Sequence, residues 1–189
     1  MRVIAGSLKG RRLKAPDWEG IRPTSDKLRG TLFNVLTAAM GAAGLEETVW
    51  LDVYAGSGAV GIEALSRGAR QVYFLESARP AVTVIRNNLR SLKIENGWQV
   101  LEQPAVKALH QLDAQAVSAD VVFLDPPYDD AEAYEQALGF LAQSRLLKPE
   151  TMVVAEHTKH FDPGGKFGAL VRYRELKQGD AVLSFYRLG

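Results

Sequence analysis

The stretch Leu51-Asp52-Val53-Tyr54-Ala55-Gly56-Ser57-Gly58-Ala59-Val60-Gly61 sets three glycines in G-x-G-x-x-G order between an apolar run and a segment of helical spacing. Alone, that pattern is weakly specific. Its glycines permit a tight turn and a close backbone approach to a ligand. Glu76, 20 residues after Gly56 at the end of the next apolar run, suits two ribose hydroxyls. Loop and acid together select an adenosine-bearing cofactor over a turn that binds nothing, and leave nicotinamide dinucleotides and S-adenosylmethionine as candidates. Asp52, directly before the loop, would repel a pyrophosphate and would attract an ammonium group, directly or through water, which favours S-adenosylmethionine. Its alternative role is a cap for the following helix or loop.

Outward from this loop, short apolar runs alternate with helical patterns, as parallel strands joined by crossover helices do. Strands are expected at Val49–Val53, Val72–Glu76, Trp98–Leu101, Asp120–Leu124 and Thr151–Ala155. Helices are expected over residues 59–67, Pro80–Leu92, Val106–Leu112 and Ala131–Arg145. The tail reads as an antiparallel hairpin of Leu170–Leu176 and Ala181–Leu188 around Lys177-Gln178-Gly179-Asp180. Upstream, Thr24 or Ser25 caps a helix with apolar Leu28, Leu32, Val35, Leu36 and Ala39 that ends near Gly41 to Gly44. Residues 2–24, rich in Gly, Pro and charge, form a hairpin or extended arm.

Asp125-Pro126-Pro127-Tyr128 follows the fourth strand directly, where carboxyl ends of parallel strands form the ligand crevice. A purine exocyclic amine is a poor nucleophile, so its lone pair must be aimed at the methyl donor. The Asp125 carboxylate and the Pro126 carbonyl can each accept one N–H of the amine. Proline holds that carbonyl with little conformational freedom, and Tyr128 can stack on an extruded base. Asp125 is also placed to take the released proton. The competing reading is a Pro-Pro turn that merely ends a strand.

The 189-residue chain is 47% hydrophobic, with a net charge of +1. This fits a single domain with a small appendage. The absence of cysteine excludes disulfides, zinc-thiolate sites and thiol catalysis. No stretch of bilayer-spanning length is free of charge, and Met1-Arg2-Val3-Ile4-Ala5-Gly6 lacks the apolar core of a signal peptide, so cytoplasmic residence is expected. Charge is uneven. Residues 1–30 hold eight basic side chains (Arg2, Lys9, Arg11, Arg12, Lys14, Arg22, Lys27, Arg29) against three acidic ones (Asp17, Glu19, Asp26), whereas the remainder is net acidic. A basic arm on an acidic body points to a polyanion held at one edge, with a solvated basic loop as the alternative. Glu156-His157-Thr158-Lys159-His160-Phe161-Asp162 lacks a supporting metal-ligand set and reads as a solvated loop; no metal is expected. Trp50 and Trp98 read as packing residues, with Trp18 in the basic arm the one candidate for base stacking.

The Asp52–Gly61 loop paired with Asp125-Pro126-Pro127-Tyr128 resembles class I amino-methyltransferases that act on nucleic acid. Two flanking segments narrow the resemblance. They are Arg2-Val3-Ile4-Ala5-Gly6 with Gly10-Arg11-Arg12-Leu13, and Arg22-Pro23-Thr24-Ser25-Asp26-Lys27-Leu28-Arg29 with Leu32-Phe33-Asn34-Val35-Leu36. Nearly the whole chain is similar to the bacterial family that methylates guanine N2 in small-subunit (16S) ribosomal RNA. The resemblance implies an α/β, Rossmann-like class I methyltransferase with a seven-stranded mixed sheet, helices on both faces and a β-hairpin arm (1–24) on a methyltransferase domain (25–189). It implies a monomer that uses S-adenosylmethionine on ribosomal RNA, in an assembled or partly assembled 30S particle. Asp125, Pro126 and Tyr128 become the catalytic candidates. Asp52, Ala55, Gly56, Gly58, Glu76 and Ser77 become the cofactor set, joined at the methionine end by Arg22 and Thr24. Arg2, Lys9, Arg11, Arg12 and Lys14 become the RNA contacts. The chain departs from the family at Gly30, where Glu usually follows Arg, and at Pro104, where an acid often holds the adenine amine. The nearest rivals are an adenine-N6 methyltransferase and a noncatalytic RNA-binding assembly factor that keeps the fold; a nicotinamide oxidoreductase is more distant.

Overall fold

Val49–Val53 (β1) is buried at every position, as a strand covered on both faces must be. The computed structural model describes residues 1–15, 25–41, 44–127 and 130–189. β1 lies between β2 (Gln71–Glu76) and β4 (Ala119–Leu124), parallel to both. β3 (Trp98–Glu102) and β5 (Leu147–Thr158) extend the parallel part on either side. Then β8 (Ala181–Leu188) pairs antiparallel with β5, and β7 (Leu170–Gln178) with β8. With β6 (Lys166–Phe167) at the edge, the order is β3-β2-β1-β4-β5-β8-β7-β6, eight strands among the described residues where seven were expected. The addition, β6, is only Lys166–Phe167 on the outer edge of β7, too short to leave a periodic signature.

The expected crossover helices appear as α2 (Ala59–Ser66), α3 (Arg79–Ser91), α4 (Ala105–Ala114) and α5 (Ala131–Leu141). Apolar residues of α1 (Asp26–Met40), α2 and α3 pack on one face with Trp50, Phe74, Phe123 and Phe185, and the arm's Val3 and Leu13 join them. Those of α4 and α5 pack on the other face with Leu51, Val53, Leu124 and Tyr186. Ser25 caps α1, its hydroxyl accepting the Leu28 N–H at 3.1 Å. Thr24, the other candidate cap, lies outside the described residues. Trp50 is stacked on Phe33 at 5.2 Å, and the Trp98 indole donates to the Ile94 carbonyl at 3.1 Å; both are packing residues, while Trp18 is outside the described residues. No helix among the described residues is long and apolar enough to cross a membrane.

The solvated loop expected at residues 156–162 is corrected in its first part. Glu156 and His157 belong to β5 and are 1% and 2% exposed. His157 Nε2 lies 2.8 Å from Ser184 Oγ on β8, so the polar ring is buried against a hydrogen-bonding partner. Apolar alternation cannot register a strand that continues through polar residues whose partners lie on a distant strand.

Gly30 sits in the interior of α1, and a methyl there would meet only Ile4 Cδ1, at 3.9 Å. Gly30→Ala is therefore expected to raise stability by roughly 1 kcal/mol through helix propensity and a less flexible unfolded chain. An unchanged or lower urea midpoint would contradict that.

Candidate functional site

Strand order reverses between β1 and β4, and the carboxyl ends of β1, β2 and β4 converge on that crevice. After β1 the chain turns through left-handed conformations at Tyr54 (φ 63°), Gly56 (φ 53°) and Gly58 (φ 74°). The Ala55 N–H donates to the Leu75 carbonyl at 3.1 Å, and the Gly58 N–H to the Ala55 carbonyl at 2.7 Å. The glycines serve different ends. A Cβ on Gly61 would lie 2.3 Å from Phe74 Cε1, so Gly61 lets α2 press onto the sheet. A Cβ on Gly56 would meet nothing within 4 Å, so the loop backbone borders open space.

Glu76 ends β2 and holds the loop from the side. Its two oxygens accept the N–H of Gly56 at 2.9 Å and of Ala78 at 2.8 Å. Each carboxylate oxygen has a second acceptor position, which leaves capacity for ligand hydroxyls. Ser77, next along, is exposed.

Asp52 is 2% exposed and accepts the Gly61 N–H at 2.9 Å, in the first turn of α2. The capping role weighed from sequence is therefore present. Burial pushes its carboxyl up from 3.8 to about 7, with the nearby Glu76 charge adding to the rise and the Gly61 bond opposing it. A cation brought beside a buried acid so poised would favour its charged form.

Across the switch point, the Asp125 N–H donates to the Val53 carbonyl at 3.2 Å, holding the start of the Asp-Pro-Pro segment beside the glycine loop. Asp125 is partly exposed, Pro126 buried and Pro127 exposed. The Asp130 N–H donates to the Pro127 carbonyl at 3.0 Å, and Asp130 Oδ1 caps α5 through the Ala133 N–H. The fold thus brings Asp125 and Pro126 together with Asp52, Ala55, Gly56, Gly58, Glu76 and Ser77. Tyr128, Arg22 and Thr24 lie outside the described residues.

Sequence reading missed three groups that fasten the arm to this site. Glu63 of α2, fully buried, accepts the Ile4 N–H at 2.7 Å, the Ala5 N–H at 2.9 Å and Arg67 Nε at 2.8 Å. Ser66 accepts the Leu8 N–H and donates to the Ala5 carbonyl. Asn88 of α3 exchanges two bonds with the Lys14 backbone and donates to the Ser57 carbonyl in the glycine loop at 3.1 Å. One side chain therefore touches both the arm and the loop. Buried polar side chains inside otherwise ordinary helical patterns were the only available signal. The basic arm residues Arg2, Lys9, Arg11, Arg12 and Lys14 all remain exposed, although Arg11 bonds the Ser91 carbonyl.

The sequence model of the family described as "Conserved hypothetical protein 95" matches residues 1–187. The chain belongs to this family. Among its relatives, the putative rRNA methyltransferase YlbH of Bacillus subtilis is 34% identical over 188 residues, covering 99% of this chain and 98% of its own. The ribosomal RNA small subunit methyltransferase D of Haemophilus influenzae is 39% identical over 160 residues, covering 84% and 79%. In structure, the putative methyltransferase yhhF of Escherichia coli superposes with a TM-score of 0.82 at 31% identity, covering 100% of this chain and 97% of that one. The fold is that of the class I methyltransferases, whose methyl donor is S-adenosylmethionine. The residues present fit that donor. Open space borders Gly56, the Glu76 carboxylate keeps acceptor capacity, and a buried carboxylate at Asp52 complements a cationic methionine end.

This fit makes affinity depend on pH. Because the Asp52 pKa is raised in the folded protein, its protonated form contributes stability that is present below about pH 4 and is lost as pH rises through about 7. A cationic ligand favours the carboxylate, so S-adenosylmethionine should bind with proton release and with affinity that climbs between about pH 5 and 7. Calorimetry in two buffers of different ionisation heat measures the release; Asp52→Asn should abolish both it and the pH slope. Equal slopes in the two proteins would exclude the role.

Proposed function

We propose that this protein transfers a methyl group from S-adenosylmethionine to the exocyclic N2 amine of a guanine in small-subunit (16S) ribosomal RNA, acting as a cytoplasmic monomer on an assembled or partly assembled 30S particle. The observation that carries the reading is Asp125-Pro126 held at the carboxyl end of β4, against the glycine loop of β1. A carboxylate and a fixed carbonyl beside a methyl-donor crevice suit an amine with two N–H groups. The names of the family's relatives support ribosomal RNA of the small subunit, and the sequence resemblance supports guanine.

S-adenosylmethionine, when bound, supplies a methyl group made electrophilic by its sulfonium. The chain's own residues supply position. Gly56 and Gly58 give the loop its backbone shape, Glu76 takes ribose hydroxyls, and Asp52 takes the ammonium, with Arg22 and Thr24 assigned to the same end. The Asp125 carboxylate and the Pro126 carbonyl each accept one amine N–H, which turns the nitrogen lone pair toward the donor, and Tyr128 stacks on the base. The nitrogen–methyl bond would form as the methyl–sulfur bond breaks, the sulfonium leaving as a neutral thioether, and the amine's surplus proton would pass to an Asp125 oxygen. Orienting two bound reactants accounts for most of the acceleration, and no covalent enzyme intermediate is involved. The base must be unpaired or flipped to reach Asp125.

Undermethylated small subunits incubated with the protein and isotopically labelled S-adenosylmethionine should yield labelled N2-methylguanosine by nucleoside mass spectrometry. Labelled N6-methyladenosine would replace the target, and no labelled nucleoside despite cofactor binding would replace the activity. Asp125→Ala should lower the rate at least about 100-fold while RNA binding is kept.

The arm is assigned to RNA by its exposed basic residues. Arg11→Ala with Arg12→Ala should weaken RNA binding and reduce the slope of log K against log salt by about 1.4 to 1.8, at 0.7 to 0.9 per lost phosphate contact. Cofactor affinity should stay the same. An unchanged salt slope would remove the arm from the interface.

A further inference from the structure

The strongest feature outside the crevice is a bulge in β7. Arg172 pairs with Tyr186 and Arg174 with Phe185, which leaves Tyr173 as an extra residue. A bulge places two successive side chains on one side of a sheet, where regular pleating alternates them. Tyr173 and Arg174 accordingly both lie against Phe185, at 6.4 Å between ring centroids and 5.8 Å from guanidinium to ring. Arg187, two residues beyond Phe185 on β8, lies 5.2 Å over the Tyr173 ring. Tyr173 is 43% exposed, the one exposed large hydrophobic side chain among the described residues.

The charges here are available. Among the described residues, Arg174 and Arg187 form no ion pair, whereas neighbouring Arg172 is engaged by Asp162 and Glu175. Two exposed guanidiniums without carboxylates, each resting on an aromatic ring, keep their N–H edges for acceptors outside the chain. Stacked guanidinium is weakly hydrated and matches phosphate geometry. An exposed tyrosine between them offers a stacking surface to a base.

The location fits the same partner as the arm. Phe185 packs in the cluster that includes Val3 and Leu13 of the arm, so patch and arm occupy one face of the sheet. α1 lies between them, bonded to the arm through Arg29 and the Arg2 carbonyl, and to the end of β7 through Thr31 and Gln178. From Gln178 to Tyr173 is five residues of strand, roughly 17 Å at 3.4 Å per residue.

We propose that Tyr173, Arg174 and Arg187 form a second RNA-contact surface that grips an unpaired segment of the substrate, phosphates on the two arginines and a base on the tyrosine, with the RNA crossing α1 from the arm. This rests on the ribosomal RNA reading above. It explains what the bulge accomplishes, since a regular β7 would turn either Tyr173 or Arg174 to the opposite face.

The test measures binding of wild-type protein, Arg174→Gln/Arg187→Gln and Tyr173→Ala to unmethylated small-subunit RNA and to assembled subunits, across a salt series. The arginine pair should lower the salt slope by about 1.4 to 1.8. Tyr173→Ala should weaken RNA binding roughly five-fold or more with little change in slope. Cofactor affinity and thermal midpoint report folding and should match wild type. Wild-type affinity and slope in both variants would overturn the surface. Loss confined to assembled subunits, with naked RNA bound normally, would overturn it in favour of a ribosomal-protein contact. Failure of the wild type itself to bind or methylate small-subunit RNA would instead overturn the underlying reading.

Discussion

The close seating of α2 on β1 and β2 is the constraint from which the rest of the structure follows. Gly61 permits it, because any side chain there would collide with Phe74 and Val72. With the helix so placed, its first turn reaches the Asp52 carboxylate below the crevice. Its last turns carry Glu63 and Ser66 under the N-terminal arm. A single eight-residue helix therefore connects the buried Asp52 carboxylate with the groups that seat the basic arm.

Glu63 shows why such a connection is stiff. A fully buried carboxylate is tolerable only when its lone pairs are satisfied, and here two backbone N–H groups and Arg67 do so, with Arg29 Nε a further 3.8 Å away. Removing one partner leaves a buried charge exposed to a low dielectric, which typically costs about 3–5 kcal/mol, so the arm's first residues are held in one register. Asn88 adds a second fastening by bonding Lys14 and Ser57 with the same amide. The basic residues between these two fastenings, Lys9, Arg11 and Arg12, are exposed, with Arg11 also bonded to the Ser91 carbonyl.

Asp52 shows that the capping reading of the sequence is met without using up the side chain. It caps α2, and it also lies buried at the carboxyl end of a central strand. The cap does not exhaust a carboxylate, which has two oxygens, and burial pushes its pKa up to about 7. One carboxylate thus joins the end of β1 to the first turn of α2.

The sequence by itself determined the local chemistry: where strands and helices alternate, where glycine must turn the chain, and which acids follow which strands. These properties depend on neighbours within a few residues, so Asp52, Glu76 and Asp125 were legible as a set, as was the basic arm. Burial of Glu156 and His157 was not, because their partners come from β8, more than twenty residues away. Nor was the arm's anchorage, since Glu63 and Asn88 look like ordinary polar positions of amphipathic helices until the arm lies on them. The bulge at Tyr173 arises only when β7 and β8 pair one residue out of regular register. Tertiary structure decided these features because each is a contact between distant segments, and its geometry exists only once both are fixed to the same sheet.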